Sequence, residues 1–152
     1  MPDYLTKLQP GGFYGWPYFY LGKHAQPGMP ARPELAAKVL MPDLLLESHS
    51  APLGLVFYQG GSFPERYRGG AFVALHGSWN RARPTGYRVV FVPFSDGKPE
   101  GFYETFLSGF WLRGDSPAQV WGRPAGLAVA ADGSLLVADD AGDAIWRVSF
   151  KP

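Results

Sequence analysis

The chain has 152 residues, no cysteine and a formal net charge of +1 at neutral pH. This length is enough for one ordinary domain with a sizeable core. The lack of cysteine excludes disulfides, thiolate metal sites and thiol chemistry, and the scattered, nearly balanced charges argue against a nucleic-acid-binding surface. No apolar run is long enough to span a bilayer, and Met1-Pro2-Asp3 does not begin a signal peptide.

Residues 1–46 precede any repeated pattern. They contain an aromatic run, Gly11-Gly12-Phe13-Tyr14-Gly15-Trp16-Pro17-Tyr18-Phe19-Tyr20, whose glycines and prolines forbid a long helix and predict a tight loop. Residues 34–39 predict one helical turn. Residues 40–46, which include three consecutive leucines, predict a buried strand without a sheet of its own, an orphan outer strand.

Two units of similar sequence follow, at residues 47–110 and 121–150. Pro52-Leu53-Gly54-Leu55-Val56-Phe57 in the first unit corresponds to Pro124-Ala125-Gly126-Leu127-Ala128-Val129 in the second, 72 residues later. Both units consist of short apolar runs separated by Gly-, Pro- and Asp-rich turns, which is typical of propeller blades made of antiparallel strands. The predicted strands are residues 54–58, 71–75, 87–93 and 104–110 of the first blade and 126–130, 135–139 and 144–150 of the last.

The sequence therefore predicts an all-β fold, a β-propeller with about two four-stranded blades per chain plus the orphan N-terminal strand. The last blade lacks its fourth strand. Propellers close with about four to eight blades, and two blades alone leave unpaired edges. We expect closure either as a homotrimer, a six-bladed ring in which each orphan strand completes the neighbour's last blade, or through the missing blades of a longer chain.

Loop parity predicts where the polar side chains lie. Successive connections in an antiparallel blade alternate between its two ends, so the loop before the first strand and the loop between the second and third strands share one rim. In the two units these loops are residues 47–52, 76–86, 121–124 and 139–143. The side chains expected on this rim, near the central channel, are His49, His76, Trp79, Asn80, Arg81, Arg83, Trp121, Arg123, Asp139 and Asp140.

The most informative rim loop is His76-Gly77-Ser78-Trp79-Asn80-Arg81. Arginine binds a carboxylate through two parallel hydrogen bonds, asparagine orients carbonyls or hydroxyls, and tryptophan stacks on flat or sugar faces. The loop therefore suits a planar anion or a sugar. The alternative is that Arg81 pairs with an acid and Trp79 packs between blades. His49 is either a general base or, as is more common for such a residue, a side chain that fixes its loop by hydrogen bonding to the backbone. Arg123 either faces the same ligand or forms a salt bridge between blades.

Six stretches of the chain carry a family resemblance: residues 11–17, 49–55, 67–72, 76–81, 122–127 and 132–140. They resemble the C-terminal part of the soluble sugar dehydrogenases that use pyrroloquinoline quinone (PQQ), the glucose/sorbosone dehydrogenase family, and the sorbosone branch most closely. The resemblance implies a six-bladed propeller whose quinone lies over the central channel, bound by basic side chains and a calcium ion. Arg81, with Asn80 beside it, resembles the quinone-contacting position of the penultimate blade, and Arg123 resembles the arginine that holds a quinone carboxylate.

The chain also departs from this family. The family's catalytic histidine, the arginine that stabilises the reduced quinone and the carbonyls that hold calcium lie in earlier blades, and Glu47 stands where glucose-oxidising members have a tryptophan. Asp139-Asp140 with Asp143 lacks the ligand spacing of an EF-hand and favours a turn. We therefore expect part of a quinone pocket, with no catalytic residue and no metal ligand, and a chain that is inactive alone.

Two classes of function remain open. The chain is either a piece of a PQQ-dependent sugar dehydrogenase or a non-catalytic ring formed by oligomerisation, with a sugar bound through Trp79, Trp121 and the polar rim or with a purely structural role. A periplasmic or extracellular location is implied by the family resemblance alone.

Overall fold

The computed structural model describes residues 1–151, and it is almost entirely β-structure. Within these residues the helical parts are α1 (Pro33–Ala36), which lies at the predicted helical turn, and a 3-10 turn at Glu65–Tyr67. No helix in this range has the length and apolarity to cross a membrane. The strands are β1 (Asp3–Leu5), β2 (Phe19–Tyr20), β3 (His24–Ala25), β4 (Leu44–Leu46), β5 (Pro52–Phe57), β6 (Ala71–Leu75), β7 (Arg88–Val92), β8 (Phe94–Ser95), β9 (Lys98–Pro99), β10 (Glu104–Leu107), β11 (Trp111–Arg113), β12 (Gln119–Val120), β13 (Pro124–Val129), β14 (Leu135–Asp139) and β15 (Ala144–Val148).

The first blade is a four-stranded antiparallel sheet in the order β5, β6, β7, β10. The structure thus confirms the four strands predicted for this unit. All five residues of β6 are buried, because other layers cover both faces of the sheet. This two-sided burial explains why β6 is a continuous apolar run without polar alternation.

The last blade is a three-stranded antiparallel sheet in the order β13, β14, β15, as the sequence predicts. Leu135 and Val137 of β14 point into an aromatic core shared with Tyr58, Phe72 and Phe91 of the first blade. The inner strands come close as well, since a Cβ placed on Gly54 of β5 would lie 2.2 Å from the carbonyl oxygen of Ala125 in β13. The two blades therefore stack face to face.

The N-terminal segment forms a third layer on the other face of the first blade. Leu44 and Leu46 of β4 pack against Val73 of β6 and Val90 of β7. One detail differs from the expectation of an orphan strand: β4 pairs in antiparallel fashion with β1, whose Asp3 lies opposite Leu46. Three residues of β1 are too few for a period-2 pattern to show in the sequence.

Both ends of this three-layer stack carry uncovered apolar side chains. On β5, Leu53, Leu55 and Phe57 are 61%, 44% and 47% exposed, because the β1–β4 pair covers β6 and β7 but leaves β5 open. We call these three residues the β5 face. On the opposite end, Ile145 is 72% exposed and lies across from Ala138 on the outer side of the last blade, which we call the β15 face.

Candidate functional site

The rim loops of the first blade are joined by hydrogen bonds. The amide of Gly77 donates to the carbonyl of Ser50 (2.9 Å). The guanidinium of Arg81 donates through Nη1 to the carbonyl of Ser48 (3.0 Å), and Thr85 Oγ1 donates to the same oxygen (3.0 Å). These contacts fix the loop that carries Arg81 against the loop that enters β5.

Arg123, from the last blade, reaches over to the same loop. Its Nη1 donates to the carbonyl of Gly77 (3.2 Å), and its guanidinium carbon lies 5.0 Å from the ring centroid of Tyr87. The Tyr87 hydroxyl donates in turn to the carbonyl of Ser78. The structure therefore brings Arg81 and Arg123 to one rim, on a single loop system that links the two blades.

The two arginines carry positive charge that the described part of the chain does not pair. The ion pairs among residues 1–151 involve Arg32, Arg66, His76, Arg88 and Arg147, and none of them includes Arg81 or Arg123. Each guanidinium has five N–H donors, and the side-chain contact given above uses one Nη1 of each. The alternatives of an acid pair for Arg81 and an inter-blade salt bridge for Arg123 are not what the structure shows. A carboxylate-bearing ligand fits the donors that are left.

His76 and Glu47 are engaged with other side chains of the rim. His76 Nε2 lies 2.8 Å from Asp140 Oδ1, a contact that joins the first blade to the last. Glu47 accepts a hydrogen bond from Arg88 Nη2 (2.8 Å) and another from the amide of Gly86 (3.2 Å). Glu47 therefore anchors the rim.

The remaining predicted rim residues differ in their surroundings. Trp79 is 85% exposed and does not pack between the two blades of this chain, and Asn80 and His49 are exposed too. His49 has a φ of 62°, in the turn before β5. Trp121 stacks on Phe110 with ring centroids 5.4 Å apart, and its indole N–H donates to the carbonyl of Gly109. Trp121 thus serves local packing while leaving 42% of its surface exposed.

Asp139 has a larger role than the turn expected from the sequence. It is 2% exposed, yet its pKa lies below the ordinary value: burial raises the pKa, but hydrogen bonds from Trp146 and from the amides of Arg123 and Gly142 outweigh burial. A Cβ on Gly122 or Gly142 would come within 2.0 Å or 2.6 Å of its carboxylate. Those flanking glycines are the sequence signal for a side chain held in a tight cradle. Among residues 1–151, no group of three or more His, Asp or Glu side chains is placed to hold a metal ion.

Two stacked blades with an arginine-bearing rim and two uncovered ends define an open sector of a β-propeller. The TrAA12-like family model matches residues 34–151, and the chain belongs to this family. Together with the relatives and solved structures that follow, this match confirms the propeller fold and the quinone-dehydrogenase family predicted from the sequence.

Two relatives match most of the chain. The chain is 36% identical over 139 residues to an uncharacterized protein of Borreliella burgdorferi, a match that spans 91% of this chain and 36% of the relative. It is 34% identical over 127 residues to the pyrroloquinoline quinone-dependent pyranose dehydrogenase of Coprinopsis cinerea, spanning 74% of this chain and 17% of that protein.

Solved structures give the same fold. The holo form of the pyranose dehydrogenase PQQ domain from Coprinopsis cinerea superposes with a TM-score of 0.65 at 27% identity, covering 95% of this chain and 38% of that one. A calcium structure of a family AA12 carbohydrate-active enzyme from Trichoderma reesei gives 0.67 at 22% identity, covering 89% and 38%. The chain therefore spans well under half the length of the relatives it matches.

Proposed function

We propose that this chain supplies two blades, and two of the arginine anchors, of a PQQ-binding pocket in a sugar dehydrogenase. The observation that carries the proposal is the pair of rim arginines, Arg81 and Arg123, which lack a carboxylate partner among residues 1–151. A relative adds the cofactor, since the Coprinopsis cinerea enzyme is a PQQ-dependent pyranose dehydrogenase.

The residues of this chain would bind the cofactor and orient it. Arg81 and Arg123 hold carboxylate groups of the cofactor by charge-assisted, forked hydrogen bonds, Asn80 offers an amide beside them, and the exposed indole of Trp79 offers a flat face. A quinone bound by these residues would supply the acceptor for the hydride equivalent of a sugar C–OH group. Abstraction of the accompanying proton needs a base in register with the acceptor. We assign no catalytic residue to this chain and place the base, with any calcium ligands, in other blades.

Four further proposals come from the resemblance of the sequence to the glucose/sorbosone dehydrogenase family. They are a sugar substrate as in the sorbosone branch, a calcium ion held by the other blades, dehydrogenase activity only in the assembled ring, and a periplasmic or extracellular location. Oxidation of sorbosone, glucose and pyranoses by the complete ring, compared under PQQ and calcium supplementation, tests the first three.

The proposal is tested by titrating the chain with PQQ and following the quinone absorbance and the quenching of tryptophan fluorescence. We expect saturable binding that weakens by about tenfold or more in Arg81→Ala and in Arg123→Ala, because each variant removes a charge-assisted contact of about 1.5–3 kcal/mol.

The matched control for these two variants is Arg66→Ala, because Arg66 is an exposed arginine of the 3-10 turn, away from the rim loops. This substitution should leave the PQQ dissociation constant unchanged. Absence of binding to the wild-type chain, or equal weakening in all three variants, contradicts the proposal.

A second candidate is a non-catalytic ring that binds carbohydrate. The 85% exposure of Trp79 favours it, since a solvent-facing indole on a polar rim is suited to stacking on a sugar ring. Glycan-array binding that persists without PQQ and is lost in Trp79→Ala supports this candidate. Retention of glycan binding in Trp79→Ala counts against it.

A further inference from the structure

We propose that Asp139 is the positioning residue that holds Arg123 in place for anion binding. Asp139 is buried and would touch no ligand, so its contribution would pass through Arg123. The inference rests on the proposed quinone pocket for its functional meaning, while its structural part concerns the chain alone.

Three separate segments of the last blade donate hydrogen bonds to the Asp139 carboxylate. Its Oδ1 accepts hydrogen bonds from the amides of Arg123 (2.7 Å), at the entrance to β13, and of Gly142 (2.8 Å), in the turn between β14 and β15. Its Oδ2 accepts one from the indole of Trp146 on β15 (3.0 Å). One carboxylate therefore fixes the start of the inner strand relative to the rest of the last blade.

Arg123 is consequently fixed at both ends. Asp139 holds its backbone in the last blade, while Gly77 and Tyr87 hold its guanidinium on the first blade. A long, rotatable side chain that lacks a carboxylate partner depends on such fixed points to present its free donors in one direction. Loss of the backbone anchor lets the residue shift away from Gly77 and Tyr87.

A carboxylate is the group that this position requires. Its oxygens face three N–H donors, and both oxygens of an ionised aspartate are acceptors. Asparagine has nearly the same shape but turns an NH₂ group toward at least one of these donors in either amide orientation. Asp139→Asn is thus a nearly isosteric variant that disrupts the anchor.

The experiment compares Asp139→Asn with Asp132→Asn. Asp132 is also a turn aspartate, accepting hydrogen bonds from the amide (3.1 Å) and hydroxyl (2.7 Å) of Ser134 and pairing with Arg147, but it lies in the β13–β14 turn at the opposite end of the blade. We expect both variants to lower the thermal unfolding midpoint. We expect only Asp139→Asn to weaken PQQ binding, by about tenfold, and to speed hydrogen exchange at the Arg123 amide.

The amide-exchange measurement separates the inference from the proposed function. If the wild-type chain binds no PQQ, the proposed function fails. If the Arg123 amide then exchanges faster in Asp139→Asn than in Asp132→Asn, the anchor alone is supported. If Asp139→Asn leaves both the Arg123 exchange rate and PQQ affinity at wild-type values, or if Asp132→Asn changes them equally, the positioning role is overturned.

A second variant serves in case Asp139→Asn does not fold. Trp146→Phe keeps an aromatic ring and removes the indole donor to Oδ2. Freed on one side, the carboxylate should hold Arg123 less firmly, so exchange at the Arg123 amide should accelerate. An unchanged exchange rate in a folded Trp146→Phe protein counts against the role of Asp139.

Discussion

Asp132 gives a pH-dependent prediction at the scale of a single residue. Hydrogen bonds from the hydroxyl and amide of Ser134, together with the pairing with Arg147, lower its pKa from 3.8 to about 2. A carboxyl group whose pKa is lower in the folded chain stabilises the fold above its unfolded pKa, and this contribution is lost as pH falls through the folded pKa. The stability difference between wild type and Asp132→Asn should therefore be full above about pH 4 and shrink toward pH 2.

Urea unfolding midpoints of both proteins at several pH values between 7 and 2 measure this difference. Asp96→Asn, which alters an exposed carboxylate in the short β8–β9 turn, serves as the control. A difference that grows as the pH falls contradicts the expectation.

Single residues also show what the sequence could predict about the site. Loop parity placed Arg81 and Arg123 on one rim, because the alternation of connections depends only on strand order. The buried role of Asp139 was beyond such reasoning. It requires the amide of Arg123 and the indole of Trp146 to converge, and that depends on the register between β14 and β15 and on the β-bulge in β13.

At the scale of elements, the two inner strands offer a matched pair of glycine substitutions. Gly54 of β5 and Gly126 of β13 hold corresponding positions in the two units, but a Cβ on Gly54 would meet the Ala125 carbonyl oxygen at 2.2 Å. On Gly126 the nearest atom would be the Cβ of Ala138, at an ordinary 3.5 Å. We expect Gly54→Ala to reduce the free energy of unfolding by about 1–3 kcal/mol, because the inner strands must separate.

Gly126→Ala is the control in the same chemical-denaturation experiment. It adds the same methyl group without a clash and should change the free energy of unfolding by less than about 1 kcal/mol. Equal losses in the two variants would show that β5 does not pack closely against β13 at Gly54.

The elements that sequence predicted and those it missed differ in length. The five- and six-residue strands β5, β6, β7, β13, β14 and β15 carry enough apolar residues to show a pattern. The two- and three-residue strands of the β8–β9 and β11–β12 hairpins carry no readable period. The β1–β4 pairing is missed for a further reason: it joins residues about forty positions apart, and short strands encode no information on distant partners.

At the scale of the whole molecule, the uncovered ends are the dominant feature. The β5 face and the β15 face lie on opposite ends of the stack; the first presents Leu53, Leu55 and Phe57 and the second presents Ile145, which a further blade would cover. The outer edge of β15 has no strand beside it within residues 1–151, and the β1–β4 pair keeps free edges of its own. Unpaired edges and apolar faces favour association, so the isolated stack is expected to find partners.

Closure by copies of the chain is one expected outcome, and it gives the last prediction. A head-to-tail contact that sets the β15 face of one copy against the β5 face of the next closes into a six-bladed homotrimer, with the neighbour's β1–β4 pair beside β15. Light scattering at micromolar concentration should then give about 50 kDa, three times the 16.7 kDa of one chain.

Ile145→Lys should shift the particle to a monomer, because it would bury a charge in the contact. Phe102→Lys alters a side chain that is 52% exposed and belongs to neither β5 nor β15, and it should leave the trimer intact. A wild-type monomer would instead leave closure to blades of a longer polypeptide, and an Ile145→Lys trimer would exclude the β15 face from the contact.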